Sequence, residues 1–154
     1  MDIVFIDGLH TFEQSLLDAV NALQYLNPDG LIILHDCYPP DAVTATPARS
    51  IGEARQLAGS AWKGQWCGDV WKTPYYLYNF EQESLEVCVL DMDYGLGVIR
   101  KKKSFTGPVR IDEGKVKMVK SMPYDFIASN KNGVNLKPES FARKLMDDPA
   151  ASFA

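Results

Sequence analysis

Acidic and histidine side chains follow two short apolar runs of this 154-residue chain. Asp7 and His10 come after the first run, and His35 and Asp36 end the second. Carboxylates and imidazoles bind metal ions and transfer protons, so four of them at matching positions are candidates for a catalytic site. Either aspartate alone is equally well explained as a helix cap or a turn residue. The repetition of the pattern favours a shared site.

The two apolar runs are typical of buried parallel strands. Residues 3–6 (IVFI) and 31–34 (LIIL) lack the alternation of a half-exposed strand. Residues 7–30 are enough for one crossover helix and two loops, which predicts a right-handed βαβ unit. The carboxyl ends of the two strands then lie side by side, and open parallel sheets bind their ligands at that edge.

The segment between the runs has the pattern of an amphipathic helix. Apolar side chains recur at helical spacing across residues 11–26, and Thr11 with Gln14 fits a capping box. Pro28 and Gly30 end this helix and turn the chain into the second strand. The helix is expected to cover one face of the sheet.

Later segments predict a hairpin and a tail. Residues 85–90 and 95–101 should be strands joined by a tight turn at a sheet edge, whose exposed end the basic residues 101–103 would protect. Residues 1–103 are expected to form one α/β domain. Residues 104–154, broken by Gly and Pro, should pack on that domain as an appendage with short helices and a fraying end.

An aromatic-rich segment is a second candidate for ligand contact. Residues 62–72 (WKGQWCGDVWK) place three tryptophans around Asp69, and a helix starting near Asp69 should continue through Phe80. Dense aromatic side chains line ligand pockets, but they also pack against sheet edges without binding anything. The loop of residues 41–50, which follows the second strand, is also predicted to contact ligand.

Composition limits the partners and the compartment. The net charge is −4, with residues 100–103 as the only concentrated basic run, so a small-molecule partner is expected rather than nucleic acid. The sequence shows neither a bilayer-spanning apolar run nor a signal-peptide pattern, and no membrane partner is expected. Cys37, Cys67 and Cys88 lack C-x-x-C spacing, which argues against disulfides and structural zinc. A cytoplasmic protein is predicted.

Four motifs follow one another along the chain: Phe5-Ile6-Asp7-Gly8-x-His10, Pro28-x-Gly30, Ile33-Leu34-His35-Asp36 and, less specifically, Gly68-Asp69-Val70-Trp71-Lys72. Their order resembles the second half of the class I S-adenosylmethionine-dependent methyltransferases, in particular the macrocin and catechol O-methyltransferase branch. The resemblance implies a partial Rossmann-like α/β fold, with parallel strands followed by an antiparallel hairpin. It also implies methyl transfer from S-adenosylmethionine to a hydroxyl group of a small molecule.

The resemblance implies roles for individual residues. In metal-dependent members of that family the acids that end the two strands hold a divalent cation such as Mg²⁺, and here these acids are Asp7 and Asp36. His10 takes the place of the general base, and Asp7 with Gly8 lies where the cofactor binds. Cys37 stands where an Asn ligand is common, and its soft sulfur suits Mg²⁺ poorly. The candidates for substrate contact are His35, Asp69 and Trp71.

The family's Gly-rich cofactor turn and ribose-binding acid have no counterpart in the sequence. The chain is therefore expected to lack the cofactor-binding half, to bind S-adenosylmethionine weakly, and to expose the edge of its first strand. A homodimer that pairs or packs the first strands of two copies would satisfy the unpaired backbone groups of that edge. Coverage of the edge by residues 104–154 would do the same.

Two other functions stay open at this point. Imidazole and carboxylate ligands also suit zinc or manganese, so the chain could be a metal-dependent hydrolase. The other alternative is a non-catalytic binding module, which the missing cofactor turn favours. The ligands that the hydrolase would use are Asp7, His10, His35 and Asp36.

Overall fold

The computed structural model describes residues 1–148 and 151–153, which form a mixed α/β fold around a five-stranded sheet. Across the sheet, the strands lie in the order β1-β2-β4-β3-β5, with both parallel and antiparallel neighbours. The predicted α/β class is confirmed. In chain order the strands are β1 (Ile3–Ile6), β2 (Leu31–Leu34), β3 (Leu85–Asp91), β4 (Leu96–Lys101) and β5 (Leu136–Pro138).

Helices cover both faces of this sheet. In the part of the chain that the structure describes, none is long and apolar enough to cross a membrane. The predicted helices after the first strand, before the hairpin and in the tail are all present. They are α1 (Phe12–Tyr25), α2 (Ile51–Ala58), α3 (Lys72–Phe80), α4 (Glu113–Lys120), α5 (Tyr124–Ser129) and α6 (Ser140–Asp147).

The predicted βαβ unit is confirmed. β1 and β2 run parallel and in register along their whole length, and α1 connects them. The helix buries one apolar stripe, including Phe12 and Leu16, against the sheet. Because the strands are parallel, their carboxyl ends meet at the same edge, and the residues that follow them, Asp7 and Asp36, come close together.

The start of α1 differs from the predicted capping box. Thr11 is the N-cap residue, but its side chain makes no capping hydrogen bond, and Gln14 donates to Asp18 at 2.8 Å instead. The backbone N–H of Phe12 donates to Oδ1 of Asp69, 57 residues away in the chain, at 2.8 Å. A negative carboxylate at this position also complements the positive end of the helix dipole.

The hairpin is confirmed, but its place at the sheet edge is not. β3 and β4 pair antiparallel, β4 lies against β2, and β5 pairs parallel with β3. Both hairpin strands are therefore internal, because the C-terminal segment supplies the edge strand. The prediction that residues 101–103 protect a sheet edge is wrong.

Two apolar residues near the end of the chain are packed rather than frayed. Ala151 and Phe153 are buried in an apolar cluster with Leu145 of α6, on the sheet face opposite α1. The guanidinium of Arg100 lies 4.6 Å from the centroid of the Phe153 ring. The prediction of fraying is wrong for Ala151 and Phe153. The prediction of fraying also covered Pro149, Ala150 and Ala154, which lie outside the described residues.

β1 forms the other edge of the sheet. Within residues 1–148 and 151–153 no strand pairs with its outer side, and Ile3 and Phe5 are 66% and 59% exposed. The described part of the C-terminal segment adds its strand at the opposite edge, so the predicted coverage of β1 by residues 104–154 does not occur there. The homodimer stays a prediction.

Candidate active site

Four side chains that follow β1 and β2 form one cluster. Nε2 of His10 lies 3.6 Å from Oδ1 of Asp7, and Nδ1 of His10 lies 3.3 Å from Oδ2 of Asp36. Nδ1 of His35 is 3.5 Å from the same two carboxylate oxygens. The structure thus brings together all four residues that the two apolar runs were predicted to place side by side.

The cluster has a closed side and an open side. Asp36 is 5% exposed, and its φ of 62° lies in the left-handed region, which Asp tolerates better than most residues. The side chain of Asp7 is 44% exposed. Beside it, a side chain at Gly8 would meet only the Asp18 carboxylate, at 3.7 Å. A ligand can therefore approach the cluster from the side of Asp7 and Gly8.

Asp93 also belongs to the cluster, which its position in the sequence did not predict. Its Oδ2 lies 3.4 Å from Nε2 of His35. Asp93 is in the turn between β3 and β4, and the N–H of Cys37 donates to the carbonyl of Gly95 in that turn at 2.9 Å. The pairing of β4 with β2, which are far apart in the sequence, brings this turn to the site. The local sequence shows an acidic residue in a tight turn, which by itself does not indicate a functional site.

Trp66 holds His10 in place. The carbonyl oxygen of Trp66 lies 2.7 Å from Nδ1 of His10, and the two ring centroids are 5.0 Å apart. The indole N–H of Trp66 donates to the carbonyl of Thr46 at 2.8 Å. Because a carbonyl can only accept a hydrogen bond, Nδ1 must donate, which leaves Nε2 of the neutral ring with the available lone pair.

The aromatic-rich segment therefore reaches the site through Trp66 and not through the residues predicted to contact substrate. Trp71 is buried in the main core. Asp69 is buried as well, where it caps α1 and accepts a hydrogen bond from Nζ of Lys72 at 3.1 Å. The structure does not bring Asp69 or Trp71 to the cluster, and substrate contact by them stays a prediction.

Cys37 is turned away from the cluster. Its buried thiol donates to the carbonyl of Leu34 at 3.2 Å, and burial raises the pKa of the thiol far above its ordinary value. Burial and the neighbouring Asp36 carboxylate likewise raise the pKa of Cys67. Both sulfurs stay protonated, so the set of possible metal ligands contains carboxylate and imidazole groups rather than thiolates.

Asp7, His10 and Asp36 fit a divalent cation. One ligand atom from each lies within 4.8 Å of the others. Three ligand atoms at about 2.1 Å from one cation are about 3.6 Å apart when they are evenly spaced around it, so the side chains would close by about 1 Å or less to hold a cation. The two carboxylates suit magnesium or manganese, and the addition of an imidazole suits zinc.

Comparison with known proteins adds one finding about the segment that carries the residues of the cluster after β1 and β2. A family model described as a methyltransferase domain matches residues 1–37. Residues 1–37 are similar to a methyltransferase domain. No curated protein and no solved structure matches the chain. The match supports a methyltransferase-like function and, with it, the use of S-adenosylmethionine. The methyltransferase-like stretch contains Asp7, Gly8, His10, His35 and Asp36.

Proposed function

We propose that this cluster serves methyl transfer from S-adenosylmethionine to a hydroxyl group of a small molecule, in the manner of the macrocin and catechol O-methyltransferases. The observation that carries the proposal is the convergence of Asp7, His10 and Asp36 at the carboxyl ends of two parallel strands, within the methyltransferase-like stretch. Open parallel sheets bind their ligands at this edge.

The residues of the cluster have separate tasks. S-adenosylmethionine, when bound beside Asp7 and Gly8, supplies an electrophilic methyl group. A divalent cation held by Asp7 and Asp36 would lower the pKa of a coordinated hydroxyl. Nε2 of His10 accepts the hydroxyl proton, because Nδ1 is bound to the Trp66 carbonyl.

The surroundings of His10 prepare it for this task. The stacked indole of Trp66 and the bond to its carbonyl orient the imidazole before substrate arrives, which removes an entropic cost from the reaction. Oδ2 of Asp36, 3.3 Å from Nδ1, faces the positive charge that the ring gains on accepting the proton. His10 therefore combines a fixed orientation with one nitrogen available for the proton.

Replacing His10 by glutamine should lower the methyl-transfer rate by about 100-fold or more, the usual effect of losing a positioned base. The glutamine amide can still donate to the Trp66 carbonyl, but it cannot take up a proton. The measurement is transfer of an isotopically labelled methyl group to a panel of small hydroxyl compounds at saturating cofactor. Asp147→Asn, an exposed change on α6, is the control and should keep the wild-type rate. A nearly normal rate for His10→Gln would leave His10 with a structural role only.

Magnesium should raise the melting temperature of the chain by several degrees at about 100 times its Kd, since a ligand that binds only the folded state stabilises it by about 2.7 kcal/mol. Asp36→Asn should abolish this response, because the asparagine amide carries no negative charge to bind the cation. Asparagine also tolerates the left-handed backbone conformation, so the variant should fold. Asp147→Asn, an exposed change on α6, should leave it intact. Thermal unfolding with and without MgCl₂ measures both. An unchanged wild-type melting curve would remove the cation from the mechanism.

A metal-dependent hydrolase is the second candidate, favoured by the three ligand atoms within 4.8 Å. In that reaction Nε2 of His10 would bind the metal itself. Nδ1 is already bound to the carbonyl of Trp66, which leaves Nε2 as the available nitrogen. Nε2 cannot bind a metal ion and accept a proton at the same time. Zinc affinity that depends on His10, together with hydrolysis of a test ester, would favour the hydrolase. Binding of hydroxyl compounds without turnover would favour a binding module.

A further inference from the structure

The basic run Arg100–Lys103 has no explanation in the proposed reaction. Four like charges in succession repel one another, and the rest of the chain is acidic enough to make the net charge −4. Protection of a sheet edge does not account for the run, because β4 lies inside the sheet, between β2 and β3. A basic run that serves neither the edge nor the active site points to an anionic ligand.

A cavity of about 620 Å³ opens beside this run. Its volume lies within the range of about 300–1,000 Å³ that is usual for small-molecule sites. Arg100 is opposite Leu31 at the start of β2, whereas the active-site cluster follows Leu34 at the end of that strand. At about 3.3 Å per residue, the two sites are about 10 Å apart or more along the sheet. The lining residues are Pro28, Asp29, Glu86, Arg100, Lys101, Lys102, Lys103 and Ser104.

The charges around this cavity do not balance. Four basic and two acidic residues line it, which leaves an excess of two positive charges. Nε of Arg100 donates to Glu86 at 2.8 Å, so these two residues neutralise each other. The excess therefore belongs to the lysine side chains.

The lysine ammonium groups are held by neutral partners. Nζ of Lys101 donates to the carbonyl of Leu26 at 2.6 Å and lies 4.9 Å from the centroid of the Phe105 ring, and Nζ of Lys102 donates to the carbonyl of Gln82 at 2.5 Å. An ammonium group has three N–H donors, and a carbonyl accepts from one of them without neutralising the positive charge. The third lysine of the cavity, Lys103, is exposed. Donors and positive charge are therefore both available to a ligand.

We propose that this cavity binds a small molecule that carries a diphosphate or an equally charged pair of phosphate groups. Phosphate oxygens accept hydrogen bonds from several ammonium groups at once, and two or more negative charges match the excess of positive charge. The concave site and the net charge of −4 favour a compact anion, since nucleic acid binding relies on an extended basic surface. This site is independent of the proposed methyl transfer.

Inorganic pyrophosphate is the probe, titrated by calorimetry at low salt with EDTA present, because screening by salt weakens exposed charge interactions. Wild type should bind pyrophosphate more tightly than inorganic phosphate. The double variant Lys102→Gln/Lys103→Gln should bind pyrophosphate at least about tenfold more weakly. Lys103→Gln alone changes an exposed side chain and should weaken binding by about threefold without affecting folding. Lys117→Gln removes the same charge from an exposed position on α4 and should bind as wild type does.

Three results would overturn the proposal: equal affinity in wild type and the double variant, an equal loss in Lys117→Gln, or tighter binding of a single-stranded DNA oligonucleotide than of pyrophosphate. Asp36→Asn keeps the two sites distinguishable, since it should remove the magnesium response and leave pyrophosphate binding unchanged. Loss of pyrophosphate binding in Asp36→Asn would contradict a separate site.

Discussion

Replacing Asp69 by alanine should lower the free energy of unfolding by about 3–5 kcal/mol, the usual cost of breaking a buried ion pair. The buried carboxylate accepts hydrogen bonds from the N–H of Phe12 at 2.8 Å and from Nζ of Lys72 at 3.1 Å. Without it, the buried ammonium of Lys72 keeps two neutral contacts, the carbonyl of Lys120 at 2.7 Å and the ring of Trp71 with its centroid 5.6 Å away. The loss therefore combines an uncompensated charge with an uncapped helix. Urea unfolding followed by circular dichroism measures it.

Asp41 offers a control near the surface, because its carboxylate also accepts from a backbone N–H and from a lysine, and in addition from the hydroxyl of Thr44 at 3.0 Å. Its carboxylate accepts from the N–H of Thr44 at 2.8 Å and from Nζ of Lys63 at 2.6 Å, but the side chain of Lys63 is 63% exposed. Asp41→Ala should therefore cost only about 1 kcal/mol.

The double variant Asp69→Leu/Lys72→Met removes both buried charges and should be more stable than Asp69→Ala. A loss below about 1 kcal/mol in Asp69→Ala, with weaker substrate binding, would instead support the predicted substrate contact. The two measurements thus separate a structural role of Asp69 from a binding role.

Replacing Gly68 by alanine should lower the free energy of unfolding by about 2–5 kcal/mol, through backbone strain and overpacking together. Gly68 has a φ of +61°, and a Cβ at this position would lie 1.9 Å from the carbonyl oxygen of His10. That oxygen belongs to the backbone, so the clash can be relieved only by separating the Gly68 loop from the loop that carries His10. Methyl transfer should therefore fall along with stability.

Gly59 separates the two contributions. It also has a positive φ, +52°, but a Cβ there would meet no atom within 4 Å. Gly59 has a ψ of −126°, a combination that is nearly reserved for glycine, so Gly59→Ala should cost only this backbone strain, about 1–3 kcal/mol, and leave the active site unchanged. Equal melting temperatures for the two variants would show that the loops of His10 and Gly68 can move apart at little cost in free energy. The close contact between Gly68 and the His10 carbonyl would then not hold the imidazole in place.

Local patterns in the sequence were sufficient for the elements that build the site. The continuous apolar runs at residues 3–6 and 31–34 predicted β1 and β2, and Pro28 with Gly30 correctly ended the helix between them. The same patterns placed Asp7 and Asp36 at neighbouring strand ends. These features depend on hydrophobic periodicity and on backbone preferences within a few residues, which a single sequence displays directly.

Features that depend on distant pairing were predicted less well. Thr11 and Gln14 matched a capping box, yet the carboxylate of Asp69 supplies the cap, because tertiary packing delivers a buried charge to the helix end. The hairpin was expected at an edge, but Leu136–Pro138 pairs outside it. A three-residue strand has little pattern of its own, and its pairing is decided by the packing of the C-terminal segment.

By itself, the sequence determined the parallel strand pair, the crossover helix and the four charged or polar residues that end the strands, because each follows from local hydrophobic pattern and chain geometry. Only the tertiary structure decided which residues complete the cluster. Asp93 arrives through the register of β4 against β2, and Trp66 through a loop that packs on His10. These contacts join residues far apart in the chain, and nothing in their local sequence specifies the partner.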